Sequence, residues 1–282
     1  TKNANAMKNL ALFLYEWRHF SRSPIKIIAL LLIVVASAYG LHKGANLHKR
    51  QRAEVEKIEQ KVQEERQSYL KAYQKGQMVP EDREWVDLST PFWAIEYSWV
   101  YHYKTPSPAM VYSIGQSEQY GFIKKITRWA SPYDTDLAEE IANPERLQTG
   151  TLDFTFALLF LSPLLLLVLF YNIQSLEAEQ GFMSMIEVQS GSKHPWLLSR
   201  MMFYLLLVLI TNFLLIVYGG SLTGVLSEEG GALGQMLVYS SIYLVFWSVL
   251  YFLIIQGGRS ISGWSAYTLS LPSLFRQRCL NI

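Results

Sequence analysis

Hydrophobic positions along the chain gather into four long runs, and most of the charged positions form a block between the first run and the second. The most distinctive run is Phe154–Leu176, 23 positions without a charged side chain, followed at once by Glu177, Glu179 and Gly181. About 20 apolar residues carry a helix across the hydrocarbon core of a bilayer. The backbone inside a bilayer must satisfy its own hydrogen bonds, so such a run is helical. Asp153 supplies N-cap chemistry just before the run. Pro163 removes one intrahelical bond, a defect that membrane helices tolerate when neighbours compensate. A span running straight into acidic residues and a glycine has the character of a docking end.

The remaining elements follow from the same periodicities. Asn9–Phe20 is amphipathic at helical spacing, with Leu10, Phe13, Leu14, Trp17 and Phe20 on one face and Arg18, His19 and Arg22 away from it. This predicts a cytoplasmic interfacial helix within residues 1–24, lying in the headgroup plane. A first span follows over 25–42, with Lys26 able to snorkel and extend it. Gly40 and Gly44 form a small-xxx-small pair at its far end, a weak packing signal, since a lone pair of glycines more often marks a helix bend. Leu47–Tyr73 reads as a separate charged helix whose Val55, Ile58, Val62 and Tyr69 pack one face onto its own domain. Trp93, Ile95, Tyr97, Trp99, Tyr101 and Tyr103 recur with period two, predicting a strand with one aromatic face. Such a row is core material for an insert, or a stacking surface on which Trp93, Tyr97, Trp99 and Tyr101 face a ligand. Leu137–Leu147 reads as a helix leading back to the membrane.

The expected layout is an extracytoplasmic domain over 43–151, a second span over 152–176 and a cytoplasmic connection over 177–196. A third span over 197–218, an external turn over 219–231, a fourth span over 232–258 and a tail over 259–282 complete it. The fold class is a mainly α membrane protein, a polytopic helical bundle with an α+β extracytoplasmic insert.

Charge sharpens this layout. Residues 42–150 hold 15 Lys/Arg and 16 Asp/Glu, leaving only 17 of the 48 charged residues for the rest of the chain. The insert is therefore water-exposed, and its near-neutral balance gives no reason to expect nucleic acid. Lys2, Lys8, Arg18, Arg22 and Lys26 precede the first span, the 219–231 turn has no Lys or Arg, and Arg259 follows the fourth span. By the positive-inside rule the N-terminus and the 177–196 connection are cytoplasmic.

Catalytic chemistry is not indicated. The chain has no G-x-x-x-x-G-K-[ST] phosphate loop and no G-x-S-x-G elbow, and its five histidines lack metal-ligand spacing. A single Cys279 precludes an intrachain disulfide. No enzyme, catalytic residue, metal or cofactor is expected in this chain. A membrane-anchored extracytoplasmic interaction module without transport activity is one reading of such a protein.

A second reading comes from a resemblance. EWRHFSRSP (Glu16–Pro24), a span, a large external insert, and a second span entering SLEAEQG (Ser175–Gly181) resemble an ABC-2 type transporter permease. PSPAMVYSIGQSEQYGF (Pro106–Phe122) and NPERLQTGTLDF (Asn143–Phe154) resemble the branch with a large domain of unknown function between its first two spans. The resemblance implies a subunit of an ATP-driven exporter in the bacterial inner membrane. It also implies pairing with a second permease, identical or not, and with a separate ATPase that binds ATP and Mg. Glu16, Trp17 and Arg18 of the N-terminal helix and Glu177, Glu179 and Gly181 of the acidic turn are the implied ATPase contacts. The family has six spans where four are visible here. The ending PSLFRQRCLNI (Pro272–Ile282) therefore suggests a fragment or frameshift.

Overall fold

The computed structural model describes residues 13–76, 87, 89–93, 100–115, 117, 122–126, 152–171, 173–174, 177, 179–190 and 192–257. Tyr97, Trp99, the expected 137–147 helix, Leu10 and the 259–282 tail lie outside them. The described chain is mostly helical. Residues 13–21 form α1, followed by α2 (Pro24–Gln74), β1 (Val100–Tyr103), a 3₁₀ turn (Pro108–Val111) and β2 (Ile123–Ile126). Then come α3 (Phe154–Phe170), α4 (Met183–Ser190), α5 (Lys193–Thr223), the short α6 (Val225–Glu228) and α7 (Gly230–Gly257). The helices α2, α5 and α7 are long and apolar enough to cross a membrane, the mark of a transmembrane protein.

The chain divides into two compact units. One comprises residues 1–37, 156–217 and 234–282, the other 38–155 and 218–233. The core of the first unit is built from Leu166, Leu169 and Phe170 of α3, Leu197, Met201, Tyr204 and Val208 of α5, Leu244 and Tyr251 of α7, and Phe20 of α1. Large apolar side chains also point outward, among them Leu32 and Val35 of α2, Leu214 of α5 and Leu253 of α7. Outward apolar surface on this scale is unfavourable in water and is matched by lipid.

α3 shows how the bundle accommodates Pro163. Proline has no N–H, which leaves the carbonyl four residues earlier without its helical partner. That carbonyl belongs to Leu159, and it accepts the Tyr243 hydroxyl of α7 at 2.7 Å. Residues Ala157–Leu161 widen into a π turn, with Ser162 N donating to Ala157 O. The Tyr251 hydroxyl covers the carbonyl of Pro163 itself at 3.0 Å. Deeper in the helices, Asn212 Nδ2 of α5 donates to Ser240 Oγ of α7 at 2.8 Å. These are the neighbour-supplied bonds that a proline-bearing apolar helix requires.

The second unit is organised around the segment 107–117. Ser107 caps the 3₁₀ turn by accepting from Ala109 N, while its own hydroxyl donates to Glu229 at 2.9 Å. Thr223 Oγ1 donates to Pro108 O, and Gln51 Nε2 of α2 donates to Ser117 O. The Asp153 carboxylate accepts from Ile114 N at 3.1 Å, and Thr155 N donates to Tyr112 O. Val111, Tyr112 and Ile114 are buried, as are Leu41, Ala45, Phe154 and Val225 of the same unit, and the Tyr112 and Phe154 ring centres lie 6.0 Å apart. Burial pushes the Tyr112 phenol up to about 12.

Four sequence expectations change at this level. The first span and the charged helix are one continuous 51-residue helix, α2, about 75 Å long. Gly40 and Gly44 do not interrupt it. The apolar helix after Asp153 ends at Phe170, short of the expected Leu176. Ile173 N turns back to Phe170 O, and Arg200 takes the Ile173 carbonyl that a continuing helix would bond to its own backbone. Trp93 does not begin a strand, because residues 91–93 are helical. Asp87 accepts from Ser89 N and Ser89 Oγ, and Pro91 stands at the first helical position, where its missing N–H costs nothing. Among the described residues the strand covers Val100–Tyr103, paired antiparallel with Ile123–Ile126 in the register Val100↔Ile126 and Tyr103↔Ile123. Finally, the face that α1 buries contains Glu16 and Phe20, one turn apart, while Phe13, Leu14 and Trp17 are largely exposed.

Candidate functional site

The inward position of Glu16 is explained by Arg200. Arg200 lies in the second turn of α5 with 2% of its side chain exposed, and its Nε lies 2.5 Å from Glu16 Oε1. Its Nη1 lies 2.5 Å from Glu177 Oε1, the Glu177 side chain being 14% exposed, and also donates to Ile173 O at 2.8 Å. The guanidinium packs over the Trp196 ring, 4.8 Å from its centroid. The planar fork of arginine can serve several acceptors at once, which a lysine ammonium cannot reproduce.

Lys26, in the first turn of α2, is the second buried cation. Its Nζ donates to the Tyr204 hydroxyl at 2.9 Å and sits 4.3 Å from the centre of that ring. The cluster thus holds two carboxylates and two cations. Leaving water is costly for each of them, and the arrangement stands only because each charge has partners. His19, one turn from Glu16 on α1, is held below the usual histidine range, chiefly by burial and next by the Lys26 cation. It is the neutral imidazole at pH 7.

The arrangement draws together the chain segments that the sequence had singled out separately. Glu16 of the N-terminal helix and Glu177 after α3 meet on one guanidinium. Glu177 thereby neutralises the arginine that also caps the buried Ile173 carbonyl beyond the helix end, a better setting for a carboxylate than a bare helix C-terminus. Glu179 is exposed, and Gly181 adopts φ +73°, with open space where a side chain would stand. A residue with a Cβ is strained in that conformation, so this turn has a specific need for glycine. Trp17 and Arg18 are exposed on α1. Phe182, Met185 and Val188, in and before α4, present apolar side chains beside the acidic turn.

Of the expected aromatic row, Tyr97 and Trp99 lie outside the described residues. Trp93 packs edge-on against Phe92 in its helical turn, with ring centres 5.0 Å apart. Tyr101 and Tyr103 are half-buried on β1, and the Tyr103 hydroxyl donates to Glu59 of α2. Among the described residues no group of His, Cys, Asp and Glu has the geometry to hold a metal ion.

Arg200 and Lys26 are the site residues that sequence reasoning missed as partners. Both fall at the edges of apolar runs, where a cation reads as an interfacial flank. The available signal was Arg200 lying well inside the helix that begins near Lys193, with apolar residues on both sides. Comparison with known proteins returns no match: no family model, curated protein or solved structure is significantly similar to the chain.

Proposed function

We propose that this chain is the membrane-spanning permease subunit of an ATP-driven ABC-2 type exporter. It works in a bacterial inner membrane with its N-terminus in the cytoplasm. ATP and Mg are bound by a separate ATPase, and a second permease completes the pore. In this reading α3 is the second of four spans in the chain, with α2, α5 and α7. At 17 residues it covers about 25 Å, slightly less than the hydrocarbon core, a mismatch met by local thinning or by snorkelling flanks. The segment 43–151 is the extracytoplasmic α+β insert.

The observation that carries the reading is the acidic turn. Glu179 and Gly181 are displayed to solvent, and the same turn is anchored through Glu177 to Arg200 and so to α1. A partner that pulls on this turn would pull on the N-terminal helix too. Glu179 is exposed and has no ion pair among the described residues, and a cationic ATPase surface would give it one. An exposed pair is worth about 1 kcal/mol or less. Glu179→Arg, which adds repulsion, should therefore lower ATPase co-purification several-fold while membrane insertion and thermal melting are unchanged. Full ATPase binding and full ATP turnover by that variant would remove the docking role.

A further inference from the structure

We propose that the basic face of α2 just beyond its membrane span, with His42, Lys49 and Arg50 around Asn46, seats the headgroup of an anionic phospholipid. The proposal rests on the membrane reading of α2 and holds whether or not the chain is a transporter.

α2 runs unbroken from Pro24 to Gln74, so a face can be followed along its whole length. At 3.6 residues per turn, Ile28, Leu32, Val35 and Tyr39 share one face, and all four are exposed. His42, Asn46, Lys49 and Arg50 continue the same face and are exposed as well. The face that lipid tails would cover therefore leads directly onto a polar patch, with Tyr39 at the change, where an aromatic ring suits the membrane–water boundary. Residues 25–42 cover about 27 Å, close to the thickness of the hydrocarbon core. Lys49 and Arg50 stand about 10–12 Å beyond His42 along the axis. Helical side chains lean toward the helix N-terminus, here toward the bilayer, and the long stems of Lys and Arg carry their charges back into the headgroup layer.

Charge on α2 is sorted by height. No Asp or Glu occurs from Pro24 to Ala53, while Glu54–Arg66 holds five Glu and three Lys/Arg. A solvated helix face gives no reason for that sorting. An anionic bilayer surface does, because its attraction for cations fades within about 10 Å. Arg52 lies 3.5 Å from Glu56, whereas Lys49 and Arg50 have no ion pair among the described residues. His42 Nε2 lies 3.1 Å from the Tyr218 hydroxyl of α5, which holds the ring at the edge of the span. A phosphodiester accepts charge-assisted bonds from a guanidinium and an ammonium. A glycerol headgroup keeps the net negative charge that the two unpaired cations call for. A choline or ethanolamine headgroup brings its own cation to the same place and cancels the attraction.

The test places a photoactivatable diazirine on a single cysteine of the full chain, in a Cys279→Ser background, at Asn46→Cys or at Val35→Cys. The protein sits in vesicles of equal phosphatidylglycerol and phosphatidylcholine with matched chains, and mass spectrometry identifies what each probe captures. Val35 should capture lipid. At Asn46 the glycerol lipid should exceed the choline lipid about fivefold. Lys49→Gln with Arg50→Gln should bring that ratio to about one, and Lys57→Gln with Lys61→Gln, farther along the same helix, should leave it unchanged. Equal capture of the two lipids at Asn46, an excess that survives the loss of Lys49 and Arg50, or an equal fall in the Lys57→Gln, Lys61→Gln variant would each overturn the headgroup site. So would capture of water alone at Asn46 while Val35 captures lipid. Absence of lipid at Val35 would instead remove the membrane reading of α2 on which the site stands.

Discussion

Arg200 binds two carboxylates and a carbonyl in a place that water scarcely reaches. Its replacement by alanine would leave Glu16 and Glu177, two buried or nearly buried carboxylates, with Lys26 as the one buried cation of the cluster. Breaking a buried pair in this way costs about 3–5 kcal/mol. Arg200→Ala should therefore melt well below the parent in detergent, and adding Glu16→Gln and Glu177→Gln should recover part of the loss. A parent-like melting curve for Arg200→Ala would show that the cluster is not stabilised as described. Arg200→Lys should be poor as well, since a point ammonium cannot hold Glu16, Glu177 and Ile173 O together. Glu177→Arg belongs with this group, because it sets a second cation against Arg200 and acts on the fold before it acts on any partner.

At the scale of elements, the spacing of Gly40 and Gly44 one turn apart on α2 has a packing cause. A Cβ on Gly40 would stand 2.7 Å from the backbone of Asp153 and Phe154, and one on Gly44 would stand 2.6 Å from Val111 O. These contacts are with backbone, which cannot rotate away as a side-chain tip can. Overpacking at such a point costs about 1–3 kcal/mol. Gly44→Val should loosen the Pro108–Val111 turn and its bonds to Thr223 and Glu229, seen as faster amide exchange in that stretch with α5 and α7 unaffected. Unchanged exchange at Ala109 and Tyr112 would contradict the close approach. The pair was legible as a small-residue motif but was read as a bend, because sequence spacing does not reveal which backbone faces it.

For the molecule as a whole, the testable consequence is topology. A reporter active only outside the cytoplasm should work when fused at Lys75, at the end of α2, and fail at Ser190, at the end of α4. The reverse pattern would invert the orientation, and with it the side on which the acidic turn is displayed. Activity at both sites would show that α3 does not cross.

Helical character and the apolar stretches were determined by the sequence alone. They depend on composition and period over many residues, and each run declares its own solvent. The positions of Pro163 and of the acidic turn were likewise legible. The tertiary structure decided what no local pattern contains. Tyr243 covers the carbonyl freed by Pro163 from 84 residues away. Arg200 gathers Glu16 and Glu177 although it looks like an interfacial flank. The α3 helix stops at Phe170 because its next carbonyls find other partners. In each case a buried polar group had to be satisfied, and its partner was chosen by proximity in space, a quantity that spacing along the chain does not encode.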